Sequence, residues 1–176
     1  RQIEHISPEW VVALYKVFDG KPAAMITALE KLLKEVISPS ATDEDKYWAL
    51  LHVYLQQIDN TERNLIEALS VFHWFEDGLA EHVWTNLGPS GSFLNAWSTV
   101  TNLPFVAFSN RGTVFHELYR NALLFHLWRD KRDYYLDISG RAAKYFDSED
   151  PFLKLERAYH LLISDPPNGR ALYHDL

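Results

Sequence analysis

The chain has 176 residues, a net charge of −7 and no cysteine, which excludes disulfide bonds, thiolate metal sites and thiol nucleophiles. The lack of cysteine also favours a reducing compartment, so we expect a cytoplasmic protein. No run of about 18 apolar residues could cross a bilayer, and we expect no membrane partner. We expect one helical domain over residues 1–176, and its start at Arg1 is compatible with a fragment of a longer chain.

The excess of negative charge lies in the first half of the sequence. Residues 1–88 hold 14 Asp and Glu against 7 Lys and Arg, whereas residues 89–176 hold 10 of each. Nucleic-acid binding needs a concentrated basic surface. The basic cluster within 129–133 is interrupted by two aspartates, so we expect no nucleic-acid partner. The acidic half instead favours a basic protein as the partner.

Three helices are predicted before residue 58. Ser7 caps the first, which should run to Phe18. Apolar residues at helical spacing predict the second over 24–36. Thr42 opens a third helix through Gln57. Its buried stripe should contain Trp48, Leu51 and Leu55.

Two further helices are predicted around the middle of the chain. The sequence Asp59-Asn60-Thr61-Glu62 caps a fourth helix, which carries apolar residues as far as Phe75, and Gly78 kinks it before residues 79–84. After a break rich in Gly and Pro, Ser92 caps a short helix. Two rings on this helix are four residues apart and should share a face, with at least one packed inward: Phe93 and Trp97.

The second half continues the helical pattern. Residues 103–108 are an apolar run of undecided type, and a strong helix should follow over 113–128. Another should span 134–146. Asp150 caps a last helix over 152–163. A Pro-Pro-Asn-Gly sequence then ends this helix before a short tail.

No segment shows sustained two-residue alternation with many β-branched residues, so we expect no strand. The sequence predicts an all-α fold, either a compact multi-helix bundle of about eight helices or stacked helical hairpins. The stretch from Ala158-Tyr159 through Asp165-Pro166 to Ala171 resembles the end of a tetratricopeptide repeat, which implies a helical repeat scaffold. The rest of that repeat pattern does not recur at a fixed period, so the bundle is preferred.

Eight histidines raise the alternative of a metal site. A di-iron bundle needs Glu-x-x-His sequences, which this chain lacks. Histidines hydrogen-bonded to their neighbours explain the same positions, so we expect no metal and no other cofactor. A serine nucleophile elbow is also missing from the sequence, and we expect no catalytic residue. A site built across helices would draw on His73, Glu76, His82, His116 and His126.

The most unusual segment lies in the middle of the sequence. No Lys or Arg occurs between Arg63 and Arg111, and no Asp or Glu occurs between His82 and Asn110. Three explanations remain open: a long irregular loop buried by the bundle, a contact surface for a protein partner, or a pocket for an apolar ligand. The candidate partner- or ligand-binding residues are its large aromatics, Trp74, Trp84, Phe93, Trp97, Phe105 and Phe108.

We therefore expect a noncatalytic protein-interaction domain, in which the acidic first half steers a partner and the aromatic middle contacts it. Small acidic helical proteins that neutralise a basic protein, such as immunity proteins and antitoxins, provide the analogy, and an adaptor belongs to the same class. The alternative is a helical-bundle enzyme or binding protein with a His/Glu metal site or an apolar pocket.

Overall fold

The structure is a computed structural model that describes Trp48, Leu51, His52, Leu55, Gln56 and residues 58–176. Seven helices account for most of the 69% helical content of these residues, which also include one two-stranded sheet. The predicted all-α fold class is therefore confirmed for the described part of the chain. The first two predicted helices, and most of the third, lie outside the described residues.

In chain order the elements are α1 (Asn60–Leu69), α2 (Asp77–Leu87), α3 (Phe93–Thr101), β1 (Val106–Ser109), β2 (Gly112–Phe115), α4 (Glu117–Asp130), α5 (Arg132–Tyr145), α6 (Pro151–Ser164) and α7 (Pro166–His174). The chain divides into two compact units, unit 1 (Arg1–Phe125) and unit 2 (His126–Leu176). The boundary between them falls within α4.

Two helix starts follow the predicted capping residues. The Asp59 carboxylate accepts a hydrogen bond of 2.8 Å from the Thr61 N–H at the start of α1. Asp150 accepts bonds from the N–H groups of Phe152 at 2.9 Å and Leu153 at 3.1 Å at the start of α6. These amide groups have no partner inside their own helix. The two aspartates therefore fix where α1 and α6 begin.

The segment after α1 is irregular. The Arg120 guanidinium, from α4, donates to the carbonyl oxygens of Val71 at 3.1 Å and Phe72 at 2.9 Å. Phe75 forms an antiparallel bridge with Thr113, with N···O distances of 2.9 and 2.7 Å. The prediction that the fourth helix extends to Phe75 is wrong, because these tertiary contacts take the place of helical hydrogen bonds.

Helices α2 and α3 flank the Gly- and Pro-rich break. Gly78, predicted to kink a longer helix, lies in the first turn of the separate helix α2. That helix ends at Gly88, whose φ of 64° is the left-handed conformation that favours glycine. Helix α3 follows Ser92 as predicted, although the Ser92 side chain makes no capping hydrogen bond. Thr99 donates to the Glu62 carboxylate at 3.1 Å and so links α3 to α1.

The β1–β2 hairpin shows that two predictions are wrong, the expectation of no strand and the uninterrupted helix over 113–128. The two strands are antiparallel, and their register places Phe108 opposite Thr113. Gly112 opens β2 with a φ of 122°, and a Cβ there would lie 2.8 Å from the Phe75 carbonyl oxygen. The close approach of the Phe75 segment to β2 therefore requires glycine at this position.

Helix α7 occupies the region that was predicted to be a short tail, so that prediction is wrong. Asp165 ends α6 and also caps α7, where prolines take the first positions. Gly169 is the buried residue of α7. A Cβ on Gly169 would lie 2.7 Å from the backbone of Leu161 and closer still to Leu162. Glycine thus allows α7 to pack directly on the backbone of α6.

The third predicted helix is described only in part. Leu51 and Leu55 are fully buried, as predicted. Trp48 was placed in the same stripe but is half-buried, and its ring tilts against His52 with the centroids 5.4 Å apart. Trp48 therefore lies at the edge of the buried stripe and not at its centre.

Candidate contact surface

Seven rings of unit 1 form a continuous series of contacts, the aromatic chain. Neighbouring centroids lie between 5.0 and 6.4 Å apart. Phe93 and Trp97 stack on one face of α3 at 6.1 Å, as their spacing predicted. Stacked and edge-on pairs of this kind add to the stabilisation from apolar burial. In spatial order the rings are Trp84, Phe93, Trp97, Phe75, Phe115, Phe105 and Tyr119.

The six candidate binding residues have three different environments. Trp84 and Phe105 are buried. Trp74, Phe93 and Trp97 are half-buried. Phe108 is 75% exposed. The structure thus brings four of the six together in the aromatic chain and places Phe108 apart from them, near the tip of the hairpin.

The main chain of Phe108 also points outward. Thr113 uses both its N–H and its carbonyl oxygen to bond Phe75, on the side of β2 away from β1. The Phe108–Thr113 pair is therefore a non-hydrogen-bonded pair of the antiparallel ladder. It follows that the N–H and C=O of Phe108 face away from β2. Within the described residues, no other strand pairs with that edge of β1.

The outer edge of β1 has few of the features that discourage strand pairing. Ala107, Phe108 and Ser109 are all exposed, and β1 contains neither a charged residue nor a proline. Natural proteins commonly place charges, prolines or bulges on such edges to prevent pairing with another chain. This edge and the Phe108 side chain together are named the hairpin edge.

Carboxylates are exposed on a different part of unit 1. Glu76, Asp77 and Glu81 lie at the start of α2, and all three are exposed. The sequence supplies no Lys or Arg between Arg63 and Arg111. Negative charge is favourable at a helix N-terminus, so Glu76 at the N-cap and Asp77 in the first turn of α2 lie at positions that suit a carboxylate.

Three carboxyl groups have clearly shifted pKa values, one in unit 1 and two in unit 2. The hydrogen bond from the Thr61 N–H lowers the pKa of Asp59. The Arg129 guanidinium lowers the pKa of Asp130, and the Lys154 ammonium lowers that of Glu149. Each shift has a local cap or ion pair as its cause, as is usual for groups that support structure.

The structure does not assemble the alternative metal site. His73, Glu76, His82 and His116 are exposed, and His126 binds the Asp130 carboxylate at 2.9 Å. Nowhere in the described part of the chain do three or more His, Asp or Glu residues come close enough to hold a metal ion.

No protein-family model matches this sequence, and no curated protein or solved structure is significantly similar to it. The tetratricopeptide resemblance therefore has no support beyond the residues that suggested it. None of the described helices is long and apolar enough to span a membrane.

Sequence reasoning missed the hairpin and with it the outward main chain of Phe108. A signal was present, because Thr113, Val114 and Phe115 are residues that favour strands and follow a glycine. It was too short to outweigh the apolar pattern of the helix that follows. Leu94, 73% exposed on α3, was also not singled out.

Proposed function

We propose that this chain is a noncatalytic protein-interaction domain that contacts another protein through the hairpin edge. The observation that carries the proposal is the position of Phe108. It is 75% exposed while its main chain points away from β2. Extended segments commonly bind by adding a strand to such an edge, where main-chain bonds give affinity and side chains give specificity.

The aromatic chain supports the same proposal by showing which aromatic side chains the fold itself already uses. Its seven rings pack against one another and five of them are buried, so they form part of the packed interior of unit 1. Phe108 takes no part in these contacts. A large apolar side chain that the core does not use is available to a partner, and aromatic residues are enriched at the centres of interfaces.

The charge of the partner and the cellular location of this chain are proposed from the sequence and from the exposed carboxylates. The exposed carboxylates Glu76, Asp77 and Glu81 favour a basic partner, because opposite charge speeds association. The lack of cysteine supports a cytoplasmic location.

Affinity capture with the immobilised full chain tests the proposal. We expect a partner that wild type retains and that Phe108→Ala loses. Leu94→Ala is the matched control, since it removes a similarly exposed apolar side chain from α3. The partner would be identified by mass spectrometry, purified and titrated against all three proteins. Equal affinity for wild type and Phe108→Ala would contradict the proposal.

The salt dependence of that titration tests the charge of the partner. A basic partner should bind less tightly as salt concentration rises. Replacing Glu76, Asp77 and Glu81 by the corresponding amides should reduce this dependence. A salt-independent affinity would exclude electrostatic steering by these carboxylates.

A further inference from the structure

We infer that two copies of this chain pair through their β1 edges, antiparallel and across a twofold axis at Phe108. The inference rests on the proposed contact role of the hairpin edge and names one occupant for it, a second copy. It follows from the direction of the main-chain groups, the lack of charge and the symmetry of the pairing.

The direction of the main-chain groups makes the edge complementary to itself. Phe108 presents one donor and one acceptor outward, as derived from its pairing with Thr113. In an antiparallel pair centred on Phe108, each copy donates its Phe108 N–H to the Phe108 carbonyl oxygen of the other. Closed twofold pairing of this kind is the commonest symmetry of homo-oligomers.

The same symmetry places the two exposed rings side by side. Directly opposite residues on one face of an antiparallel sheet have their Cβ atoms about 5 Å apart. The two Phe108 rings can therefore cover each other and remove apolar surface from water on both copies. Offset or edge-on contact between the rings would add to this.

The lack of charged residues at the hairpin edge lets two copies of the chain approach each other there. Each copy carries a net charge of −7, so two copies repel each other over most surfaces. The hairpin edge belongs to the stretch from His82 to Asn110, which has no Asp, Glu, Lys or Arg. Two β1 strands can thus meet without placing like charges opposite each other.

The size of the contact sets its strength. Four residues per strand bury much less than the roughly 1,200 Å² of a stable interface. The pairing should therefore be weak, with a dissociation constant of about 0.1–1 mM. Salt should tighten it, because screening weakens the repulsion between the two acidic copies. Binding to a basic partner should respond to salt in the opposite direction.

A charge-swap experiment on the full chain tests this arrangement. Sedimentation equilibrium should show wild type associating as its concentration rises. Phe108→Lys and Phe108→Glu should each weaken association about tenfold, because like charges then face each other at the axis. An equal mixture of the two variants should associate again, since opposite charges then face each other.

Leu94→Lys is the matched control and should associate like wild type, because Leu94 is exposed on α3 and not on the edge. Circular dichroism checks that each variant is folded. Renewed association in the mixture shows that the two single variants lost pairing because of charge repulsion and not because of misfolding. A wild type that stays monomeric, or a mixture that fails to associate, would overturn the inference. If either result accompanies a foreign partner that still requires Phe108, the proposed function stands and self-pairing does not.

Discussion

The charge-free segment of unit 1 and the helices of unit 2 are built in contrasting ways. Residues 82–110 contain no Asp, Glu, Lys or Arg and are held by the aromatic chain. Unit 2 is rich in charge, and Arg141, for example, pairs with Asp137 one turn away at 2.8 Å. Exposed pairs of this kind contribute little stability. The comparison teaches that contacts between aromatic rings hold the first region in its conformation. In unit 2, helix caps and the close contact between α6 and α7 position the helices.

The largest effect on stability should be a difference between alanine substitutions at two phenylalanines of the hairpin region. Phe105 is 2% exposed and its ring stacks on Tyr119, whereas Phe108 is mostly exposed. Phe105→Ala should lower the free energy of unfolding by about 3–5 kcal/mol, because it leaves a cavity in the core. Phe108→Ala should change it by less than about 0.5 kcal/mol. Urea denaturation in dilute solution measures both, and equal costs would show that the two environments have been misassigned.

An intermediate effect on the free energy of unfolding should appear in unit 2, where α6 contacts α7. Gly169→Ala should cost about 1–3 kcal/mol, because the added methyl group meets the backbone of Leu161 and Leu162. Gly140→Ala is the matched control in α5, where the nearest atom is the Ser164 Cβ at 3.7 Å. That control should be neutral or stabilise by up to about 1 kcal/mol. Thermal denaturation of both variants checks this, and tolerance of Ala at Gly169 would contradict the packing of α7.

The smallest effect should be a pH dependence at the start of α1. The hydrogen bond from the Thr61 N–H holds the pKa of Asp59 below its ordinary value of 3.8. The cap therefore stabilises the fold above pH 3.8 and loses this contribution as the pH falls through the lower, folded-state value. Asp59→Asn keeps an acceptor that does not titrate. Its unfolding free energy should fall less steeply in acid than that of wild type, and identical acid profiles would exclude this role.

Local signals were enough to predict much of the helical fold. Asp59 and Asp150 lie in the sequences that predicted these helix starts, and their carboxylates accept hydrogen bonds from amides two or three residues away. The position of Phe93 and Trp97 on one face of α3 followed from helical spacing alone. Each of these features depends on residues that are close in sequence, so the sequence displays both partners together.

The errors arose where distant residues decide the local structure. Helix α1 ends early because Arg120 and Thr113 bind the segment that follows it, and neither is near it in sequence. The α7 region was predicted to be a tail because a Pro-Pro-Asn-Gly sequence usually breaks a helix. There the glycine provides close packing against α6, which only the tertiary structure reveals.

The sequence predicted which segment contains the candidate site. It did not predict which side chains and main-chain groups of that segment are exposed. All six aromatic residues were named, but their burial differs widely because it depends on which rings find partners. The outward main chain of Phe108 could not be predicted, since it depends on Thr113 pairing with Phe75.

Residue-resolved hydrogen exchange over 82–116 in dilute protein tests the central claim, that this segment is packed while its strand edge remains open. The Thr113 and His116 amides should exchange slowly, because they donate to the carbonyls of Phe75 at 2.7 Å and Phe105 at 2.8 Å. The Phe108 amide should exchange rapidly, because it points away from β2. Uniformly rapid exchange from Gly88 to Gly112 would show an unpacked segment, and a slow Phe108 amide would show an edge that is already covered; either result contradicts the account.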